Sequence, residues 1–197
     1  NGTAVLQWNT PTPTPLPGAT KFSFTLLLHG LGKGGDNANQ GSSGNFTPLH
    51  PQRTVTIETL NSQNQLVITK QGTVTFDTIS GSLKGTIDMG NTLTNCIYLV
   101  KVKSDQFLKT ILPGIKTITA STTLQLPATP LINGDINNDN TISILDYSIL
   151  LDCFSDLLPP VNCNATKKLS ADITDDGNVN QFDYNLFLRE ITTRIGQ

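Results

Sequence analysis

Residues 134–147 read "GDINNDNTISILDY" and place side-chain oxygens at Asp135, Asn137, Asp139, Ser143 and Asp146. Counted from Asp135, these are positions 1, 3, 5, 9 and 12 of a loop, with the Thr141 carbonyl at position 7. A hard divalent cation takes about six to eight oxygens at ~2.3–2.6 Å, and this spacing wraps them around one point. Position 6 must turn sharply, and Asn140 tolerates the left-handed backbone that such a turn needs. Ile142, at position 8, is expected to pair its backbone with a partner loop. That partner begins at Asp172. It repeats the pattern with Asp172, Thr174, Asp176, Gly177 at the turn, the Asn178 carbonyl, Val179, Asn180 and Asp183. Two loops agreeing at this many positions predict two bound Ca²⁺ ions. The ions would move the formal net charge from −2 to about +2, so empty loops would repel themselves.

Each acidic loop runs into a helical pattern, "ISILDYSILL" and "VNQFDYNLFL". The pair "GDINNDNTISILDYSILL" and "ADITDDGNVNQFDYNLFL" resembles a dockerin module, a duplicated calcium loop–helix without the incoming helix of an EF-hand. The resemblance covers about residues 133–193 and fits Asp, in place of Glu, at position 12. It implies calcium ligation by Asp135, Asn137, Asp139, Thr141 and Asp146, and by Asp172, Thr174, Asp176, Asn178 and Asp183. It also implies a cohesin-like protein partner. Positions 10 and 11, which dockerins use to select a cohesin, read Ile144-Leu145 and Gln181-Phe182. Their apolar character predicts packing against something permanent. The whole arrangement is similar to the β-sandwich-plus-dockerin surface proteins of uncultured bacteria.

The elements ahead of the loops are of another kind. Residues 20–130 hold short runs rich in Val, Ile, Thr and Phe: "KFSFTLLL", "RTVTIETL", "QLVITK", "GTVTFDT", "GTIDM", "CIYLVKVK", "QFLKTIL" and "IKTITA". Turn-like "NSQN", "QG", "SG" and "PG" punctuate them, which predicts an Ig/fibronectin-like antiparallel β-sandwich of about seven or eight strands. Residues 131–197 then form the small helical calcium-binding domain. The aperiodic stretch 30–52 is longer than the ~12–15 residues of an ordinary loop, so it is expected to be functional or disordered. Residues 1–10 include an alternating strand, "TAVLQWNT", and residues 11–19 a Pro/Thr-rich linker. A tethered strand can complete a neighbour's sheet, with Ala4, Leu6 and Trp8 filling the neighbour's groove. Repeated head to tail, that contact builds a homo-polymer.

Composition narrows the function classes. Only 14% of residues are charged, so neutral polar groups must cover the surface, which suits an extracellular or cell-surface protein. A net charge of −2 gives no footprint for nucleic acid, and no apolar run approaches the ~20 residues of a membrane span. Cys153 and Cys163 are expected to pair as a disulfide, whereas Cys96 reads as a buried small hydrophobe. Asn1, Asn45 and Asn164 begin sequons, and Thr10, Thr12 and Thr14 sit in an open Pro-rich context, so all six are candidate glycosylation sites. Catalytic patterns fail. "FTLLLHGLG" lacks a downstream nucleophile elbow, "GLGKGGD" is no phosphate loop, and the carboxylates of residues 20–130 are scattered. The reading is a non-enzymatic extracellular protein, either a calcium-stabilised filament subunit or a docking and adhesion module for a cohesin-like or carbohydrate partner.

Overall fold

The computed structural model describes residues 18–155, 159–160, 162–191 and 194–196. The anticipated donor strand with Ala4, Leu6 and Trp8, the three linker threonines and the sequon at Asn1 all lie outside the described residues.

The chain is mainly β. Five long strands come first: β1 (Thr20–Leu28), β2 (Gln52–Leu60), β3 (Leu66–Asp77), β4 (Ser82–Gly90) and β5 (Cys96–Ser104). Short strands follow: β6 (Gln106–Phe107), β7 (Thr110–Ile111), β8 (Lys116–Ile118), β9 (Thr123–Gln125) and β10 (Thr129–Leu131). Alternation makes the long strands one-sided, most strictly in β1 and β5. In β1 the buried residues are Thr20, Phe22, Phe24, Leu26 and Leu28; in β5 they are Tyr98, Val100, Val102 and Ser104. The sheet runs β10-β1-β4-β3-β2-β5-β7, with β8 also on β5 and β9 also on β1. It curls so that its inner face surrounds one core, in which Phe22, Phe24 and Val100 meet Leu112, Ile118, Leu126 and Leu131 from the edges. The long strands pair antiparallel, but β9 and β10 run parallel to β1.

"QG" at residues 71–72 is not a turn. β3 runs straight through it, with Gly72 opposite Val55. A Cβ there would meet the Ile87 side chain at 2.6 Å, so glycine serves close packing rather than chain reversal. Cys96, expected in the core, is exposed at the start of β5.

The C-terminal part comprises β11 (Asn133–Asp135), β12 (Thr141–Ile142), α1 (Ile144–Cys153), α2 (Ala165–Ala171), α3 (Gln181–Glu190) and β13 (Arg194–Ile195). Its core repeats with the loops. Ile136 and Ile173 come from position 2, Ile142 and Val179 from position 8, and Leu150, Leu186 and Phe187 from the helices. Leu108 of the β-domain joins this second core. Helix α2, absent from the sequence reading, starts at Asn164, whose side chain accepts from the Lys167 amide at 2.9 Å.

Cys153 and Cys163 are bonded and tie the end of α1 to the start of α2. Closing so short a loop contributes about 2–3 kcal/mol through the unfolded chain. Cys153→Ser together with Cys163→Ser is expected to lower unfolding free energy by that amount in denaturant titration. A change under about 0.5 kcal/mol would contradict it.

Candidate metal loops and the seam that holds them

The two loops share one backbone plan. Position 4 is left-handed in both (Asn138, φ 61°; Asp175, φ 55°), and so is position 6 (Asn140, φ 68°; Gly177, φ 92°). Position 5 closes onto position 7 in each. Asp139 Oδ1 accepts from the Thr141 amide at 2.8 Å, and Asp176 Oδ1 accepts from the Asn178 amide at 2.9 Å. Asn137 Oδ1 accepts from the Asp139 amide at 2.9 Å.

Position 12 serves two structures at once. Asp146 Oδ1 accepts from the Asn137 amide at 3.0 Å while its Oδ2 accepts from the Ser143 amide at 2.8 Å. Asp183 does the same with Thr174 at 2.9 Å and Asn180 at 3.0 Å. The second bond of each pair completes a capping box, so the residue that would bind metal also starts the helix. Position 9 is the helix N-cap. Ser143 Oγ accepts from the Leu145 amide, and Asn180 Oδ1 from the Phe182 amide.

Position 8 does not pair loop to loop as anticipated. Thr141 and Ile142 pair with Ile195 and Arg194 in the β12–β13 ladder. The Val179 carbonyl accepts from the Ser155 amide at 3.0 Å. Each loop is thus closed by the segment that follows the other loop's helix.

In the second loop, carboxylate oxygens of Asp172, Asp176 and Asp183 lie within 4.8 Å of one another. Burial, then the neighbouring carboxylates Asp183 and Asp176, push the Asp172 carboxyl up to about 6, against bonds donated by the Gly177 and Asp176 amides. Burial also raises Asp183 and Asp135; for Asp135 the adjacent Lys103 opposes the rise. Three converging like charges, those of Asp172 and Asp183 buried and that of Asp176 exposed, are what a hard cation relieves, and the loop oxygens fit Ca²⁺.

Both loops are held by the β-domain across a polar seam that the sequence reading missed. At position 4, Asn138 Oδ1 accepts from the Gln106 amide at 2.9 Å. The equivalent Asp175 accepts from the His50 amide (3.0 Å), His50 Nδ1 (2.6 Å) and Arg53 (3.0 Å). Arg53 also donates to the Gln106 side chain at 2.9 Å and lies over the Phe107 ring. Gln106 Nε2 in turn caps the end of α2, donating to the carbonyls of Leu169, Ser170 and Asp172. Lys103 binds Asp135 at position 1 of the first loop. His29 Nδ1 lies 2.9 Å from Glu190 at the end of α3, and Arg189 Nε donates to Asp36 at 2.7 Å.

The long stretch 30–52 is therefore an ordered seam element. Asn45 Nδ2 donates to the carbonyls of Thr174 and Asp175, each at 2.9 Å. A glycan on Asn45 would occupy that nitrogen, so the expected glycosylation there conflicts with the seam. A cleft of about 370 Å³ opens beside Asp36, Asn45, Asp176, Phe182 and Arg189.

Ile144, Leu145 and Phe182 do not pack against the body of the protein. They are 67%, 59% and 69% exposed, because both helices turn their opposite faces to the second core. This corrects the expectation that they pack permanently. Among the described residues no helix is long and apolar enough to cross a membrane.

Residues 133–192 match the dockerin type I domain family. No curated protein matches the chain. Two solved structures of type II cohesin–X–dockerin complexes from Acetivibrio cellulolyticus contain a chain of similar fold. One, an N-terminal interface mutant, aligns with TM-score 0.54 and 15% identity over 90% of this chain and 97% of that one. The other, a C-terminal interface mutant, aligns with TM-score 0.52 and 12% identity over the same shares. The C-terminal part of this β-rich chain is a dockerin module.

Asp135→Ala and Asp172→Ala are each expected to remove one Ca²⁺ from a total of two, read by native mass spectrometry. An unchanged count in both variants would contradict the ligand assignment. The raised Asp172 carboxyl fixes a pH dependence. In the metal-free chain it favours the protonated fold below about pH 6, and that contribution is lost as pH rises from the ordinary carboxylate range to about pH 6. The metal-free chain should therefore melt higher at about pH 5 than at about pH 7 on this account. Calcium, which needs the carboxylate, should bind more weakly at the lower pH and release protons on binding. Calorimetry in two buffers of different ionisation enthalpy measures that release.

Proposed function

We propose that this chain is a calcium-dependent docking unit of an extracellular or cell-surface assembly, in which the dockerin module engages a cohesin-like protein. The observation that carries this reading is the exposure of Ile144, Leu145 and Phe182 at the three apolar positions among 10 and 11 of the two loops. Large apolar side chains held rigid and outward at a helix start are suited to anchoring a protein partner. The calcium loops supply the rigidity, since each position-12 carboxylate links metal site and helix cap. The similar solved structures come from complexes of cohesin with X–dockerin. By analogy, the β-domain here is a companion module that braces the dockerin. Docking replaces the filament as the main reading, because the dockerin family match and the likeness to chains from cohesin–dockerin complexes favour it.

The two helix faces are not equivalent. Arg189 and Glu190 at the end of α3 are bonded to the β-domain, whereas the exposed stripe Ile144–Leu145–Ser148–Leu151 of α1 carries no charge. Asp146 is buried, and Asp152 is paired with Lys167. The α1 face is therefore the principal docking surface, and its partner presents an apolar, weakly charged patch.

In binding assays of the full chain against a panel of cohesin modules, Ile144→Asp with Leu145→Asp should weaken the best interaction by at least ~2 kcal/mol. Phe182→Asp should weaken it less, and chelation should abolish it. Binding to no cohesin, with concentration-dependent polymers of the purified chain instead, would overturn docking in favour of the filament.

A further inference from the structure

Other basic side chains of the seam bind residues outside the metal sites: Arg53, beside His50, holds Asp175 at position 4, and Arg189 holds Asp36. Lys103 differs. It reaches from β5 of the β-domain to Asp135, the first ligand of the first loop. It also donates to the Phe107 carbonyl at 2.6 Å and lies 3.5 Å from Asn138 Oδ1. An ammonium has three donors and here meets three oxygens, and its side chain is only 16% exposed. The charge is held in place rather than left to wander in solvent.

Each loop offers three carboxylates at its ligand positions, Asp135, Asp139 and Asp146 against Asp172, Asp176 and Asp183. The second trio converges on one point, and among the described residues no lysine or arginine is paired with it. No such convergence occurs in the first loop, where one Asp135 oxygen is turned to Lys103. Calcium affinity in such loops follows the number of ligand charges, and Lys103 offsets one of the three. A divalent ion in the first loop must share Asp135 with a fixed positive charge, and that repulsion survives protein screening at so short a range. Without the ion, the same ammonium is the counter-charge that keeps buried Asp135 in place.

We propose that Lys103 is a resident cation of the first calcium loop, making it the weaker, later-filled site and holding it closed while empty. This rests on the reading of both loops as calcium sites. It also joins filling of the first loop to the β-domain, because β5 supplies the competing charge.

The experiment is calcium titration of the full chain by calorimetry, with site occupancy followed in Asp172→Ala, which isolates the first loop. Two unequal steps are expected in the unmodified chain, and Asp135→Ala should abolish the weaker one. Lys103→Gln keeps a donor but removes the charge. It should tighten the first loop about tenfold or more and leave the second within about twofold. Lys103→Arg should leave both steps unchanged. In chelator, Lys103→Gln should melt below the unmodified chain, and the gain on adding calcium should widen. An unchanged or weakened first loop in folded Lys103→Gln overturns the proposal. If that variant does not fold without calcium, equal steps in the unmodified chain, or loss of the tighter step in Asp135→Ala, overturn it as well. No bound calcium at either loop overturns the reading of the loops, and this inference with it.

Discussion

Asp135, Asp146, Asp172, Asp175, Asp183 and Glu190 are all buried or nearly so, and an ionised carboxylate out of water persists only with donors or a cation against it. That requirement organises the C-terminal half. Asp146 and Asp183 receive backbone amides from the loop and the helix start. Asp175, Glu190 and Asp135 receive side chains from the β-domain. The second loop is left with three convergent carboxylates and, among the described residues, no lysine or arginine paired with them. Remove any of these partners and a buried charge is stranded, which costs roughly 3–5 kcal/mol where the pair is fully enclosed.

The seam follows from the same rule. Opposite charges on two modules, once buried together, cannot be separated without rehydrating each, so β-domain and dockerin module behave as one unit. The glycines of "GLGKGG" acquire their meaning here. A Cβ on Gly34 would meet the Leu28 carbonyl at 1.8 Å, and one on Gly44 the Gly30 carbonyl at 2.1 Å. Backbone folds onto backbone, compacting a long loop until Asn45, Leu49 and His50 reach the second acidic loop. The glycine-rich stretch, which lacks the pattern of a phosphate loop, is a packing device.

The legible parts of the sequence were those governed by local periodicity. Alternation located β1, β2 and β5, and the twelve-position oxygen spacing located both loops, including the left-handed turn at Asn140. Where a residue's role depended on what lies across the fold, the sequence was silent or misleading. Gly72 looked like a turn because its close neighbour, Ile87, is on another strand. Ile142 looked like a loop-to-loop partner because residues 194–195 gave no strand signal. His50, Arg53, Lys103 and Gln106 sit in ordinary strand or loop contexts, and only three-dimensional placement brings them to Asp175, Asp135 and the end of α2. The one hint was stretch 30–52, too long to be a mere connection.

The parallel contact of β10 with β1 has a mechanical side. The chain enters the sheet at Thr20, and after Leu131 it passes directly into the dockerin module, with Leu26–Leu28 lying beside Thr129–Leu131. A pull between the stretch ahead of Thr20 and the C-terminal module draws these two strands along their length in opposite directions. The bonds between them, and those between β1 and β9, then carry the load side by side in shear and must yield together. An antiparallel hairpin pulled from its open end would instead unzip one bond at a time. The strand order thus suits a tether under tension, with the first strand acting as the anchor bolt through which force leaves the sheet.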